Sequence, residues 1–256
     1  MEINGYQKLR KHFPDLQSRA KSFWLSLLPV GVFTATTIFF INVNRVLPIW
    51  GPDGQVIVLG LGFYLMWKFF SINELYTSRY GELAYRNAFV RFALPGMAII
   101  IATIAYTGYI PGPWIQISWW DRFANTIGWF FMVTGGVLWI RSIYILGIDN
   151  ITHLYVYFHE EGHYEDSSIY EVLRHPIYAG LMRLGFGLAI LNGNIFSIIF
   201  GVIVLPFGFI AWVILVEEKD LLKHLGNDYA KYRKQTPAFL PRFRDLGKYY
   251  SFLLKG

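Results

Sequence analysis

Apolar residues fall into six blocks along this chain, at about residues 23–43, 56–70, 89–110, 127–146, 176–191 and 195–216. None alternates with period two, and most are long enough to cross a hydrocarbon core as a helix. The pattern predicts an all-α protein, a polytopic bundle of about six transmembrane helices with a C-terminal helical hairpin and an amphipathic tail. Pro95-Gly96 and Pro206-Phe207-Gly208 fall inside the third and sixth blocks and predict kinks there. The fifth block is short: sixteen residues reach about 24 Å at 1.5 Å per residue, under a core of roughly 30 Å. A re-entrant pair is therefore the alternative for the last two helices. Asn192-Gly193-Asn194 is the turn between them.

The tail changes pattern. Leu221, Leu222, Leu225, Tyr229 and Tyr232 recur at helical spacing with charges between them, Gly226 interrupts, and Thr236-Pro237 stops the run. Such a segment lies on a membrane surface or folds back over the mouth of the hairpin. The stretch after the second block, with Asn73, Glu74 and Arg79, is expected to be a solvated loop, and Glu82 and Arg86 an i,i+4 pair.

Composition supports a membrane protein. Of 256 residues, 54% are hydrophobic and only 16% charged, against about 25% charged in soluble domains. The net charge of +6 matters through its placement. The loops at 44–55 and 111–124 carry only Arg45 and Arg122, while the N-terminal segment, the 71–91 stretch and the tail carry most other Lys and Arg. The positive-inside rule then puts both termini in the cytoplasm. The first block, which lacks a small-residue cleavage pattern after it, is expected to be a retained helix. No basic stripe with interleaved aromatics suggests a nucleic-acid partner, and the absence of cysteine excludes disulfides and thiolate metal sites. The partners expected are the bilayer and a small or lipidic ligand; the oligomeric state is left open.

A hairpin returns its outer ends to one membrane face. Arg174 and His175, before the fifth helix, should therefore meet Glu217 and Glu218, after the sixth. Pro176 suits the first helical position, and a helix start favours an anion. The carboxylates opposite suit a cation, so the mouth suits a zwitterion; the alternative is a plain Arg–Glu clamp. His159-Glu160-Glu161-Gly162-His163 matches the zinc-protease pattern H-E-x-x-H. That motif needs a helix, which Gly162 and the aromatic run Tyr155 to Phe158 disfavour, and a third ligand is not evident.

The run Arg174-His175-Pro176-Ile177-Tyr178-Ala179-Gly180, a hairpin, Glu217-Glu218-Lys219-Asp220-Leu221, Leu225-Gly226 with Tyr229 and Tyr232, and Leu240-Pro241 resembles the isoprenylcysteine carboxyl methyltransferase and phospholipid methyltransferase superfamily. The resemblance covers residues 149–243. It implies S-adenosylmethionine as methyl donor. Carried onto matching positions, His175, Pro176, Ile177, Tyr178 and Tyr170 would contact the donor, and Glu217 would hold its amino group. The stretch Gly162, His163, Tyr164 and Glu165 would lie beside it, and Arg174 is a candidate catalytic residue. Residues 149–256 are then the cofactor-binding core, and residues 1–148 the N-terminal tail and four helices around it. The prenylcysteine enzymes place a substrate-binding arginine where this chain has Val213. Arg183 and Arg141 are the candidate substitutes, with the face of Trp212. The acceptor is open between an isoprenylcysteine-type carboxylate, a phospholipid amine and a thiol. Two other classes are an NADPH-dependent membrane reductase of the sterol reductase type and a non-enzymatic membrane protein.

Overall fold

The computed structural model describes residues 4–161 and 164–255. After α1 (Tyr6–His12) come α2 (Arg19–Val46) and α3 (Gly51–Ser71). Next are α4 (Asn73–Tyr80), α5 (Ala84–Ala88) and α6 (Leu94–Tyr106), then α7 (Trp120–Leu146) and the short α8 (Ile148–Ile151). The hairpin is α9 (Pro176–Asn192) against α10 (Ile195–Ile199) and α11 (Leu205–Trp212); α12 (Glu218–Gln235) continues from it, and α13 (Leu246–Lys255) ends the chain. Among the described residues, five helical stretches are long and apolar enough to cross a membrane: Arg19–Val46, Pro48–Ser71, Asn73–Tyr109, Trp120–Leu146 and Ile195–Gln235. The shorter apolar helix is α9. This is a multi-pass integral membrane bundle, helical as the apolar blocks predict.

The expected kinks are wide turns. A π turn at Phe89–Ala93 precedes Pro95, and another at Phe200–Val204 precedes Pro206. A proline ring collides with the carbonyl four residues back and supplies no N–H. One extra residue per turn relieves both problems without breaking the helix.

The stretch after α3 departs from the expected loop. Residues 73–80 form α4, and Gly81 at φ 54° ends it. Nor do Glu82 and Arg86 pair: the Arg86 guanidinium reaches the Asp15 carboxylate and Asn87. The N-terminal segment is thereby pinned across the polar end of the bundle. Lys11 and His12 add a second attachment at Glu161, 2.8 and 2.9 Å away.

At the opposite end the hairpin turn is fully bonded. Gly193 takes the left-handed conformation (φ 74°), and Asn194 caps α10 by accepting from the Ser197 amide at 2.8 Å. The amide of Ile115 donates to the Gly193 carbonyl, and that of Ile195 to Pro113, so the loop after α6 closes over the turn.

Helices α7 and α9 meet through glycine. A Cβ on Gly180 would lie 2.8 Å from the Gly135 carbonyl oxygen and 2.8 Å from the Trp139 nitrogen. One on Gly187 would lie 2.7 Å from the Gly128 oxygen. Inside a bilayer, where lipid is as apolar as leucine, such close approach replaces hydrophobic drive. Gly180→Ala should destabilise the protein by about 1–3 kcal/mol, the usual cost of overpacking. Gly60→Ala, which meets nothing within 4 Å, should not. Thermal unfolding of both variants in detergent tests the seam, and equal stability would refute it.

Candidate active site

Glu218 follows α11 and the π turn Val213–Glu217, and is 1% exposed. Its Oε1 accepts from Arg174 Nη2 at 2.8 Å and Nε at 3.0 Å, and lies 3.1 Å from His175 Nε2. Its Oε2 lies 2.9 Å from Arg233 Nε. Arg174 also donates through Nη1 to the Arg233 and Thr236 carbonyls. The backbone N–H of Arg174 and of His175 bond the carbonyls of Pro237 and Ala238, at 2.9 and 3.0 Å. Both ends of the hairpin and the tail thus close on one carboxylate. The tail folds back over the mouth, turning at Gly226 (φ 57°), and the Tyr232 hydroxyl donates to the Tyr170 carbonyl at 2.7 Å.

Glu217 has a different setting. Its Oε2 accepts from the Tyr178 hydroxyl at 2.6 Å and from Trp212 Nε1 at 3.1 Å. Its Oε1 stands 3.7 Å from His175 Nδ1, too far for a hydrogen bond. That oxygen keeps acceptor capacity toward the space beside it.

That space is a cavity of about 250 Å³. Of the residues expected from the sequence, Tyr164, Glu165, Tyr170, Arg174, His175, Pro176, Ile177, Tyr178 and Glu217 line it. Gly162 and His163 lie outside the described residues. Arg141 and Arg183 are not in the cavity wall. Arg141 donates to the Phe252 carbonyl and Arg183 to the Tyr249 hydroxyl, both on α13, and the Arg183 guanidinium also lies 5.2 Å from the Phe131 ring centre. Val213 is 1% exposed and packs in the apolar core, while Trp212 faces the cavity. The H-E-x-x-H stretch is not an α-helix where it is described. Residues His159–Glu161 make a single 3-10 turn, and the His159 ring stacks on His224 at 3.5 Å.

The cavity has two characters. Its mouth carries tyrosines from two directions, Tyr164 and Tyr170 before α9, and Tyr229 and Tyr232 on the tail. Its apolar arm is lined by Phe63, Met66, Met97, Ile100, Ile101 and Trp139. Asn150, His153 and Tyr155 also face it and were missed from the sequence. They sit in an irregular segment with no periodicity to mark them. Burial lowers the His153 pKa and raises those of Tyr155 and Tyr170, so all three are held neutral.

The mouth fits a zwitterionic donor with a sulfonium and an adenine. The Glu217 oxygen faces the cavity, Ile177 and Tyr178 lie in the first turn of α9, where amides lack intrahelical acceptors, and aromatic rings suit both a sulfonium and a flat base.

Comparison with known proteins agrees. A model of the phospholipid methyltransferase family matches residues 123–228. Protein-S-isoprenylcysteine O-methyltransferase B of Arabidopsis thaliana is 28% identical over 152 residues, 59% of this chain and 73% of that one. Methanethiol S-methyltransferase of Crocosphaera subtropica is 27% identical over 130 residues, 49% of this chain and 47% of that one. Protein-S-isoprenylcysteine O-methyltransferase of Schizosaccharomyces pombe is 36% identical over 73 residues, covering 28% and 30%. The matches thus span less than half the length of the last two. No solved structure matches.

Replacing Glu218 by Gln should strand two guanidiniums and His175, at about 3–5 kcal/mol, the usual cost of breaking a buried pair. The tail beyond Arg233 should then be cut rapidly in limited proteolysis. Lys231→Gln, whose pair with Asp228 is 75% and 76% exposed, should leave cleavage unchanged. Equal cleavage of the two variants would show that Glu218 does not hold the lid.

Proposed function

We propose that this chain, a member of the isoprenylcysteine carboxyl methyltransferase and phospholipid methyltransferase superfamily of integral membrane enzymes, transfers a methyl group from S-adenosylmethionine to a small or lipidic acceptor. The observation that carries this reading is one cavity with both environments, a carboxylate and aromatic mouth joined to an apolar arm. When bound, the donor supplies a methyl group on a positively charged sulfur. Glu217 would take the donor's amino group on Oε1. His175 and the start of α9 at Pro176, Ile177 and Tyr178 would take its carboxylate. Tyr170 and Tyr164 would flank the base, beside Glu165.

Arg174 is then a positioning residue. It holds His175, through Glu218, and the tail in place. Arg141 and Arg183 hold α13 against α7 and α9, and the acceptor is assigned to the apolar arm instead. Residues 149–256 supply the donor half, and residues 1–148 supply much of the arm. The closed tail excludes water, and most of the acceleration comes from alignment of two bound reactants. The distribution of Lys and Arg supports placing this end, with both termini, in the cytoplasm. A reductase site would need cations for the extra phosphate of NADPH. Arg174 is the Arg or Lys side chain in the described wall, and Glu218 already holds it.

Purified protein in lipid nanodiscs should bind labelled S-adenosylmethionine. Glu217→Gln should weaken that binding about 10- to 100-fold, the worth of a charge-assisted hydrogen bond of about 1.5–3 kcal/mol. Binding of NADPH in place of the donor would overturn the assignment, and unchanged donor affinity in the variant would overturn the role of Glu217.

A further inference from the structure

Donor binding as assigned above leaves His153 and its neighbour Tyr155, both titratable side chains of the cavity wall, unused. His153 is 5% exposed and its backbone is left-handed (φ 53°), an uncommon conformation for a residue other than glycine. Its ring packs edge-on against Phe70 at 5.2 Å, and Phe70 packs edge-on against Trp212 at 5.3 Å. Trp212 in turn donates to Glu217. The imidazole is thus linked through two rings to the carboxylate of the donor site and shares the cavity wall with the apolar residues of the arm. Nδ1 lies 3.3 Å from the Tyr155 hydroxyl, which leaves Nε2 for a ligand.

The arm also limits what can enter it. Phe63, Met66, Met97, Ile100, Ile101 and Trp139 offer no countercharge. The arginine of the wall is already bound to Glu218. A carboxylate or a phosphate-bearing headgroup would lie there unpaired, at a heavy desolvation cost. The acceptor must enter uncharged. An uncharged amine already presents its lone pair and needs no base before attack. An alcohol is a much weaker acid than a thiol and a poorer nucleophile toward a methyl carbon on a sulfonium. A thiol is the more acidic of the two and, once deprotonated, the stronger nucleophile, and its proton is within reach of a positioned imidazole.

Resting on the methyltransferase reading, we infer that the acceptor is an uncharged apolar thiol and that His153 is the catalytic base that takes its proton. In the tautomer required, Nδ1–H donates to the Tyr155 oxygen and Nε2 carries the lone pair. The S–H bond breaks, with its proton passing to Nε2. The thiol sulfur's electron pair forms the new bond to the methyl carbon. The pair of the broken carbon–sulfonium bond stays on the donor sulfur, which becomes a neutral thioether. The product is a methyl thioether, and the proton on His153 returns to solvent as the tail opens. Burial keeps His153 in its basic form, while Glu217, the carboxylate acting on it, stabilises the imidazolium once formed.

The probes are 1-octanethiol, octylamine and octanoate, with protein in nanodiscs. Octanethiol should raise the melting temperature of donor-free protein, and octanoate should not. With labelled donor, octanethiol should give the labelled thioether. His153→Gln should keep donor affinity and the octanethiol-induced shift but lose about 10²- to 10⁴-fold in turnover at neutral pH, the usual range for a general base. Its rate should then climb with pH toward the thiol pKa. The wild-type rate should level off near the histidine pKa, with Tyr155 and Glu217 the other ionisable groups facing the ring. This profile decides the matter even if His153→Gln does not fold. Donor binding without thiol methylation, preferred methylation of octylamine or octanoate, a variant within about twofold of wild type, or a wild-type rate that climbs to the thiol pKa would each overturn the inference and leave the methyltransferase reading standing. Failure of the wild type to bind the donor would overturn both.

Discussion

One buried carboxylate ties the polar end of this bundle together. Glu218 meets Arg174 and His175 from before α9 and Arg233 from the tail, with an exposure of 1%. A lone buried carboxylate is costly, and a pair alone seldom repays its desolvation. Here both oxygens are used, and Arg174 also satisfies two carbonyls of the tail. The geometry of the lid thus follows from satisfying one charge. Glu217, one residue earlier, shows the complement. Its hydrogen-bond partners are neutral donors on one oxygen only, so the other oxygen keeps acceptor capacity. Two adjacent glutamates divide the work, one holding the fold and one facing the ligand space.

The π turn at Val213–Glu217 makes that division possible. Adjacent residues on a regular α-helix point about 100° apart. A wide turn immediately before α12 shifts the register, and both carboxylates come to face the hairpin, with side-chain exposures of 12% and 2%. The two proline-linked π turns higher in the bundle solve a steric problem. The third precedes no proline, and what it achieves is to aim the side chains.

The bundle and the meeting of Arg174 and His175 with Glu217 and Glu218 were legible in the sequence, for a physical reason. Apolar blocks of membrane length must be helices, and a tight Asn-Gly-Asn turn fixes which ends meet. The lid was legible too, through the spacing of Tyr229 and Tyr232 and the break at Gly226. The stretch after α3 was not, because α4 is polar and gains its order from neighbours. The same holds for His153 and Tyr155. Their segment has no period, and their place in the wall depends on Phe70 and Trp212, which are distant in sequence. Arg141 and Arg183 are intramembrane-edge arginines, which ordinarily point to ligand sites. Their partners on α13 could not be foreseen because that helix pairs with α7 and α9 only in three dimensions.

The bundle also separates rigidity from access. The α7–α9 seam is backbone against backbone through Gly128, Gly135, Gly180 and Gly187, so neither helix can shift without opening a void. This fixes the start of α9, and with it His175 and Tyr178, at one side of the cavity. The opposite side is the tail, held by hydrogen bonds and ion pairs at the membrane edge. Such contacts exchange with water far more readily than packed glycine does. A reactant can therefore enter or leave by movement of the tail while the helix start and Glu217 keep their positions. The arm lined by Met66, Met97 and Trp139 lies among the helices rather than under the tail. Under the methyltransferase reading, its occupant would be supplied from the bilayer side. Two reactants of opposite solubility can then reach one point by separate routes, and only the polar route needs a lid.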